Sequence, residues 1–133
     1  MNSIEEIRQT VAGLISTLHA THHATIPLNW PNYITVDLEN LTGTFVLVNI
    51  SVPVRSEILN MGFPDSLIAG ELVVSTLRPL RTGHVGFSTY SDTLQTHICN
   101  RNISGINYLS LRKTDVSPYP GIVGQMNTIP FYV

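Results

Sequence analysis

At 133 residues the chain has the length of one domain with a buried core, and its formal charge is −2. Only 12% of the residues are charged, where a typical soluble domain has about 25%, and Lys113 is the one lysine. The negative net charge and the single lysine argue against nucleic-acid binding as the main task, because neutralising phosphates requires clustered Lys and Arg. A surface so poor in charge suits a protein assembled with copies of itself, or else a monomer covered with Ser, Thr and Asn.

The first predicted element is an amphipathic helix that starts at the capping box Ser3-x-x-Glu6 and ends near His19 or Ala20. Its apolar residues recur at helical spacing and share one stripe, while the polar residues between them face away. The stripe consists of Ile4, Ile7, Val11, Leu14, Ile15 and Leu18. We expect this stripe to dock on a sheet, so a charge placed on it, as in Leu14→Asp, should destabilise the fold.

An extended stretch and a first strand follow this helix. Pro27 and Pro31 keep the chain extended around Trp30, whose ring we expect to be anchored against the sheet. Residues 44–52 alternate in the manner of a strand, with β-branched side chains at every second position.

Two more strands and a second helix are predicted in the middle of the chain. Residues 54–61 can continue as an edge strand and turn at 62–65, while residues 67–77 are apolar on both faces and should be central in the sheet. After a loop at 78–83, residues 84–101 have the spacing of a helix. Its apolar positions are Phe87, Tyr90, Leu94 and Ile98, with Cys99 beside them as a small buried hydrophobe.

The last strands complete the predicted fold. Residues 106–113 read as a strand whose polar end, Arg112-Lys113, should emerge into solvent. A Pro/Gly loop at 118–121 precedes a final strand, which Pro130 places at a sheet edge or a bulge because proline donates no ladder hydrogen bond. The order α-β-β-β-α-β-β predicts an α+β fold over residues 1–133: a single domain with one mostly antiparallel sheet and two helices packed on it.

Histidines offer the first candidate chemistry, because His19 and His23 have the i, i+4 spacing of helical metal pairs and His22 lies between them. No Asp, Glu or Cys lies near enough in the sequence to complete a site, so we interpret the cluster as a solvated helix end. His84 and His97 have no visible partners. We predict no metal and no cofactor.

Asp37 and Glu39 are the only close carboxylate pair that an extended chain would place on one face, as general acid–base catalysis requires. Such a pair is more often the polar edge of a loop, and the sequence contains neither a nucleophile elbow nor a phosphate loop. We predict that the chain is not an enzyme. A small ligand-binding α+β domain or enzyme that uses this pair and a histidine is the alternative from another functional class.

Several further segments stand in a particular order after the N-terminal helix: 28–32 (Leu-Asn-Trp-Pro-Asn), 44–50, 70–74, 90–94, 104–108 and the closing 129–133 (Ile-Pro-Phe-Tyr-Val). In this order and at this length the chain resembles the tail terminator (tail-completion) proteins of long-tailed bacteriophages. Residues 51–67 depart from the family pattern, and we interpret them as a hairpin that projects from the assembly.

The resemblance implies a structural protein that forms a homo-oligomeric ring, a hexamer, which caps the tail tube, ends its polymerisation and joins it to the neck or head. It implies a location in the tail or neck of the virion after synthesis in the host cytoplasm. Its implied partners are further copies of itself, the tail tube protein and a neck or head-completion protein, with genome DNA passing through the lumen without specific binding. No membrane partner is expected. The first six residues contain two glutamates and no basic residue, whereas a signal peptide starts with basic residues, and no long apolar span occurs. Another ring-forming neck or head-completion protein is the alternative of the same kind.

Ring formation requires heterologous contacts that close, and loops and sheet edges are where we expect them. The candidate contacts to neighbouring subunits, tube or neck are Arg55, Glu57, Arg78, Arg81, His84 and Tyr119. The first 65 residues carry two arginines and six carboxylates, whereas the rest carry five basic residues and three carboxylates. Opposite charge on the two halves suits head-to-tail contacts between identical subunits.

Overall fold

A computed structural model describes residues 4–30, 43–52, 56–60, 63–79, 87–119 and 121–133, with only the course of the backbone at 56–60, 63–67, 87–88 and 118–119. Its elements are α1 (Ile4–His22), β1 (Leu28–Asn29), β2 (Phe45–Ser51), β3 (Ser56–Asn60), β4 (Phe63–Leu67), β5 (Ala69–Pro79), α2 (Phe87–His97), β6 (Asn102–Ile103), β7 (Ile106–Tyr108), β8 (Arg112–Tyr119) and β9 (Ile122–Tyr132).

Seven of the described strands form one curled sheet. Its order is β1-β2-β5-β9-β7-β6, and β8 pairs with β9 on the same side as β7. All described pairings are antiparallel except that of β1 with β2. The long strand β5 lies between β2 and β9, so the predicted central strand and the predicted α+β fold are both confirmed.

Both helices cover one face of this sheet, which we call the inner face. From α1, Ile7, Val11 and Ile15 are buried, and Leu14 and Leu18 are half-buried beside them, as the helical stripe predicts. The buried residues opposite them are Val46, Val48, Leu72, Val74, Ile129 and Phe131 from the strands and Tyr90, Leu94 and Ile98 from α2 and its end. Each such side chain contributes about 1.5–3 kcal/mol by leaving water, so this apolar layer is what holds α1 in place.

The opposite, outer face of the sheet has a smaller core of its own. Phe45, Leu77 and Ile122 are buried there, with Leu47 and Val116 partly covered against them. The sheet can pack this tightly because Gly124 in β9 has no side chain: a Cβ there would strike the backbone carbonyl of Thr76. Trp30, as predicted, packs partly buried against the larger core.

Pro130 does not lie at a sheet edge, so that part of the prediction is wrong. β9 has β5 on one side and both β7 and β8 on the other. The Pro130 carbonyl accepts a hydrogen bond from the N–H of Leu109 at 2.8 Å, so the proline nitrogen faces the same side. There the partner of β9 changes from β7, which ends at Tyr108, to β8, which begins at Arg112. Proline has no backbone N–H to donate, but the nitrogen of Pro130 lies where the hydrogen-bond ladder is already interrupted. No strand-pairing hydrogen bond is therefore lost.

Three predicted boundaries also differ. The strand predicted at 106–113 is two strands, β7 and β8, although its end at Arg112-Lys113 is exposed as expected. Helix α2 ends at His97 rather than near 101, and Asn100 adopts a left-handed φ of 58°, which asparagine tolerates after a helix. In the segment predicted as a hairpin, β3 and β4 pair only with each other among the described strands, and β4 begins at Phe63, inside the turn predicted at 62–65.

Candidate functional site

The predicted contact residues are only partly placed by the structure. Arg55, Arg81 and His84 lie outside the described residues, as do Asp37 and Glu39, and Glu57 is placed in β3 by its backbone alone. Arg78 lies half-buried near the end of β5 opposite Val123, and the Tyr119 backbone in β8 lies opposite Ile122. Since β9 runs between them, Arg78 and Tyr119 reach the same end of the sheet, which the sequence alone did not indicate.

A groove of about 550 Å³ lies at the other end of β9, on the outer face of the sheet. The register explains how it forms, because Ala69 pairs with Tyr132 and Glu71 with Pro130, which brings these four side chains to the outer face. Leu109, which follows β7, completes the wall. The groove is lined mainly by apolar atoms and has one carboxylate beside it.

Leu109 and Tyr132 are the exposed large hydrophobic side chains in the described part of the chain, at 43% and 38% of their full exposure. They flank the same groove. A tyrosine beside an apolar groove is typical of a protein contact, because its ring buries much apolar area at little cost in side-chain entropy. The arrangement can bind an apolar partner surface.

A second cluster joins the end of α1 to α2, and we call it the histidine cluster. It consists of His19, His22, His23, Tyr90, Thr93 and His97. His19 is only 7% exposed. Its ring nitrogens lie 2.9 Å from the Tyr90 hydroxyl and 2.6 Å from the Ile26 carbonyl. Thus the buried imidazole bridges α2 and the turn that follows α1.

Ring stacking extends the histidine cluster towards solvent. The His23 ring stacks on Tyr90 with centroids 4.5 Å apart, and its Nε2 lies 2.9 Å from the Thr93 hydroxyl. The His22 and His97 rings stack at 4.6 Å. Burial, and then the neighbouring His19 and His22, lower the pKa of His23, whereas burial raises the pKa of the Tyr90 hydroxyl.

The interpretation of these histidines as a solvated helix end is wrong for His19, and His97 does have a partner. The sequence contained the signal for His19, because this residue continues the i, i+4 row of Val11 and Ile15 along the buried stripe. Nothing local indicated His97, since its contact with His22 depends on how the two helices cross. The described residues contain no group of three or more His, Cys, Asp or Glu that could hold a metal ion.

A network of polar side chains between α2 and the sheet has a structural role. Ser91 of α2 lies 2.8 Å from the side-chain oxygen of Gln125 and 2.7 Å from that of Asn127, and the Asn127 amide donates to the Val74 carbonyl at 3.1 Å. This network ties α2 to β9 and β5. Cys99 is buried as predicted, and burial raises the pKa of its thiol more than a backbone hydrogen bond from Leu111 lowers it.

Comparisons with known proteins support the fold. No protein-family model and no curated protein matches the chain. Among solved structures, one similar chain superposes with a TM-score of 0.71 over 100% of this chain and 96% of its own length, at 11% sequence identity. The name of that protein states no activity or partner, and at this identity the likeness shows the fold alone. No helix among the described residues is long and apolar enough to cross a membrane.

Proposed function

We propose that the chain is a tail terminator protein of long-tailed bacteriophages. In this role its copies form a ring, a hexamer, that caps the tail tube, ends tube polymerisation and joins the tube to the neck of the virion. Support comes from the order of segments that the sequence shares with this family. It also comes from an α+β fold whose helices occupy one face of a mostly antiparallel sheet.

The observation that carries the proposal is the groove on the outer face of the sheet. The helices cover the inner face, so the outer face is the side on which a neighbour can pack. Leu109 and Tyr132 are exposed beside it. Covering such side chains is favourable at about 25 cal/mol per Å² of apolar surface removed from water, which gives a subunit contact its driving force.

The proposed occupant of the groove is a neighbouring copy of this chain, and charge supports that choice. Glu71 is exposed beside the groove. Arg101, Arg112 and Lys113 are exposed along the β6–β8 side of the same molecule. A heterologous contact joins two different patches of identical subunits, so an acidic groove and a basic strand region can meet around a closed ring.

An assay of tail-tube capping tests the proposed function. Protein added to polymerising tail tubes should stop their elongation and appear at tube ends by electron microscopy. The variant Leu109→Ser/Tyr132→Ser should remain folded, because both side chains are exposed, but should fail to cap. Gln95→Glu, an exposed change on α2, is the matched control and should cap normally.

Two results would count against this function. Tubes whose length and ends are unaffected by the wild-type protein would contradict it outright. Binding to neck or portal complexes with no affinity for tube ends would favour the alternative of another ring-forming neck or head-completion protein.

A further inference from the structure

The hydrogen bonds of the histidine cluster determine which ring nitrogens carry protons. A carbonyl only accepts, so the contact with Ile26 requires a proton on Nε2 of His19. In the neutral ring Nδ1 of His19 then accepts from the Tyr90 hydroxyl. Thr93 donates its own proton to a carbonyl one turn earlier in α2, at 3.0 Å, so it accepts from Nε2 of His23. Neutral imidazoles satisfy all of these contacts.

A second proton meets an unfavourable setting in this cluster. On His23 it would place a positive charge on a ring that is stacked against Tyr90 and bonded to Thr93 of α2. The centroids of His19 and His23 are 6.4 Å apart, so that positive charge would lie beside another imidazole. The lowered pKa of His23 has the same origin, burial first and the neighbouring histidines second.

The groups that face the cluster come from three elements: His19, His22 and His23 from the end of α1, the Ile26 carbonyl from the following turn, and Tyr90, Thr93 and His97 from α2. Asp92 of α2 is exposed and takes part in none of the hydrogen bonds or ring contacts described above for the cluster. Among these partners no carboxylate is present to stabilise an imidazolium.

The cluster also restrains the edge of the sheet. The N–H of Ile26 donates to the His23 carbonyl at 3.0 Å, and His19 holds the Ile26 carbonyl. The next residue, Pro27, accepts from the Val46 N–H at 2.9 Å, which seats β1 beside β2. The position of this two-residue edge strand is therefore coupled to how the His19 and His23 rings pack between α1 and α2.

We propose that the histidine cluster is a pH-sensitive latch, which holds the end of α1 and β1 in place when the His23 ring is neutral and releases them in acid. The released state exposes the backbone edge of β2 that β1 covers. This inference does not depend on the proposed role in phage tails.

The direction of the pH effect follows from the linkage between protonation and folding. A histidine whose pKa is lowered by folding contributes stability that is fully present above its ordinary pKa of 6.5 and is lost as the pH falls through the lowered value. Each proton taken up with a pKa difference of one unit shifts the closed-to-open ratio by about tenfold. The latch should thus be closed at neutral pH and open progressively as the pH falls below 6.5.

Hydrogen–deuterium exchange read by mass spectrometry tests the latch, with rates corrected for the intrinsic effect of pH. Between about pH 7.5 and pH 5, peptides covering residues 22–29 and the start of β2 should lose protection, by about tenfold for each unit by which the pKa of His23 is lowered. The core of β5 should keep its protection. In the variant His22→Gln/His23→Gln/His97→Gln this pH dependence should largely disappear, whereas Asp115→Asn, an exposed change on β8, should leave it intact.

Equal protection of residues 22–29 at both pH values in the wild type would overturn the latch, as would loss of the pH dependence in Asp115→Asn alone. If the triple variant does not fold, an NMR titration of the wild type decides the question. The amide signals of Ile26 and Val46 must then shift with the His23 midpoint, which must lie below 6.5. Amides that do not follow the histidines refute the coupling.

Discussion

Two buried tyrosines allow the hydrogen bond of the histidine cluster to be measured by the same chemical change at two positions. Tyr90 and Tyr108 are each 2% exposed, so replacing either with Phe removes one buried hydroxyl and little else. The Tyr90 hydroxyl donates to His19. The Tyr108 hydroxyl has no hydrogen-bond partner within the described part of the chain, and burial raises its pKa to about 12.

The two substitutions should therefore have opposite signs. Tyr90→Phe leaves Nδ1 of His19 buried without a donor and should destabilise the protein by about 1–3 kcal/mol. Tyr108→Phe removes a buried polar group that folding strips of water without compensation, so it should be neutral or stabilise by up to about 1 kcal/mol. The difference between the variants isolates the hydrogen bond, since loss of the hydroxyl and gain of apolar surface are common to both.

Urea unfolding at neutral pH, followed by circular dichroism, measures both free energies of unfolding. The slopes of free energy against urea should match that of the wild type, because neither change alters the surface exposed on unfolding. A Tyr90→Phe protein as stable as the wild type would refute the assignment of His19 as a bridged, buried acceptor. A Tyr108→Phe protein destabilised as much as Tyr90→Phe would show that its hydroxyl has a partner.

Four further variants test the core, the sheet, helix α1 and the proposed partner surface. Ile15→Asp, at 1% exposure, should cost at least about 4 kcal/mol in chemical unfolding, because it buries an unpaired charge; a wild-type midpoint would mean that α1 is detachable. Gly124→Ala should destabilise by about 1–3 kcal/mol because its Cβ strikes a backbone carbonyl. Gly13→Ala, in open space on α1, should stabilise by about 0.5–1 kcal/mol, and equal effects at the two glycines would contradict the packing. Replacing Arg78 and Arg81 with Ala should leave the melting temperature nearly unchanged while impairing attachment of heads to tails, and virions that assemble normally would show that these two arginines make no contact needed for attachment.

Local sequence pattern predicts those elements whose burial is determined by the spacing of apolar residues along the chain. The apolar stripe through Ile7, Val11 and Ile15 predicts the buried side of α1, and the apolar run of β5 predicts its central place. In both cases burial follows from spacing along one element. The α+β fold could be predicted for the same reason.

What the sequence could not supply depends on contacts between distant segments. Pro130 reads as an edge residue, yet a break between β7 and β8 accommodates it inside the sheet. The groove beside Tyr132 exists only because cross-strand register aligns it with Ala69, and Leu109 follows a different strand. The contact of His22 with His97 depends on the crossing of two helices. Long-range register has no local signature, so these features require the structure.

The molecular mass in solution tests the central claim, assembly through the outer-face groove, most directly. Light scattering on the eluting protein, repeated in the presence of tail tubes, should give six times the 14.7 kDa chain mass for the wild type in at least one of these conditions. Leu109→Ser/Tyr132→Ser should elute at the mass of one chain, and Gln95→Glu should match the wild type. A wild-type protein that stays at 14.7 kDa at high concentration and also ignores tubes would contradict the account, as would a groove variant that assembles like the wild type.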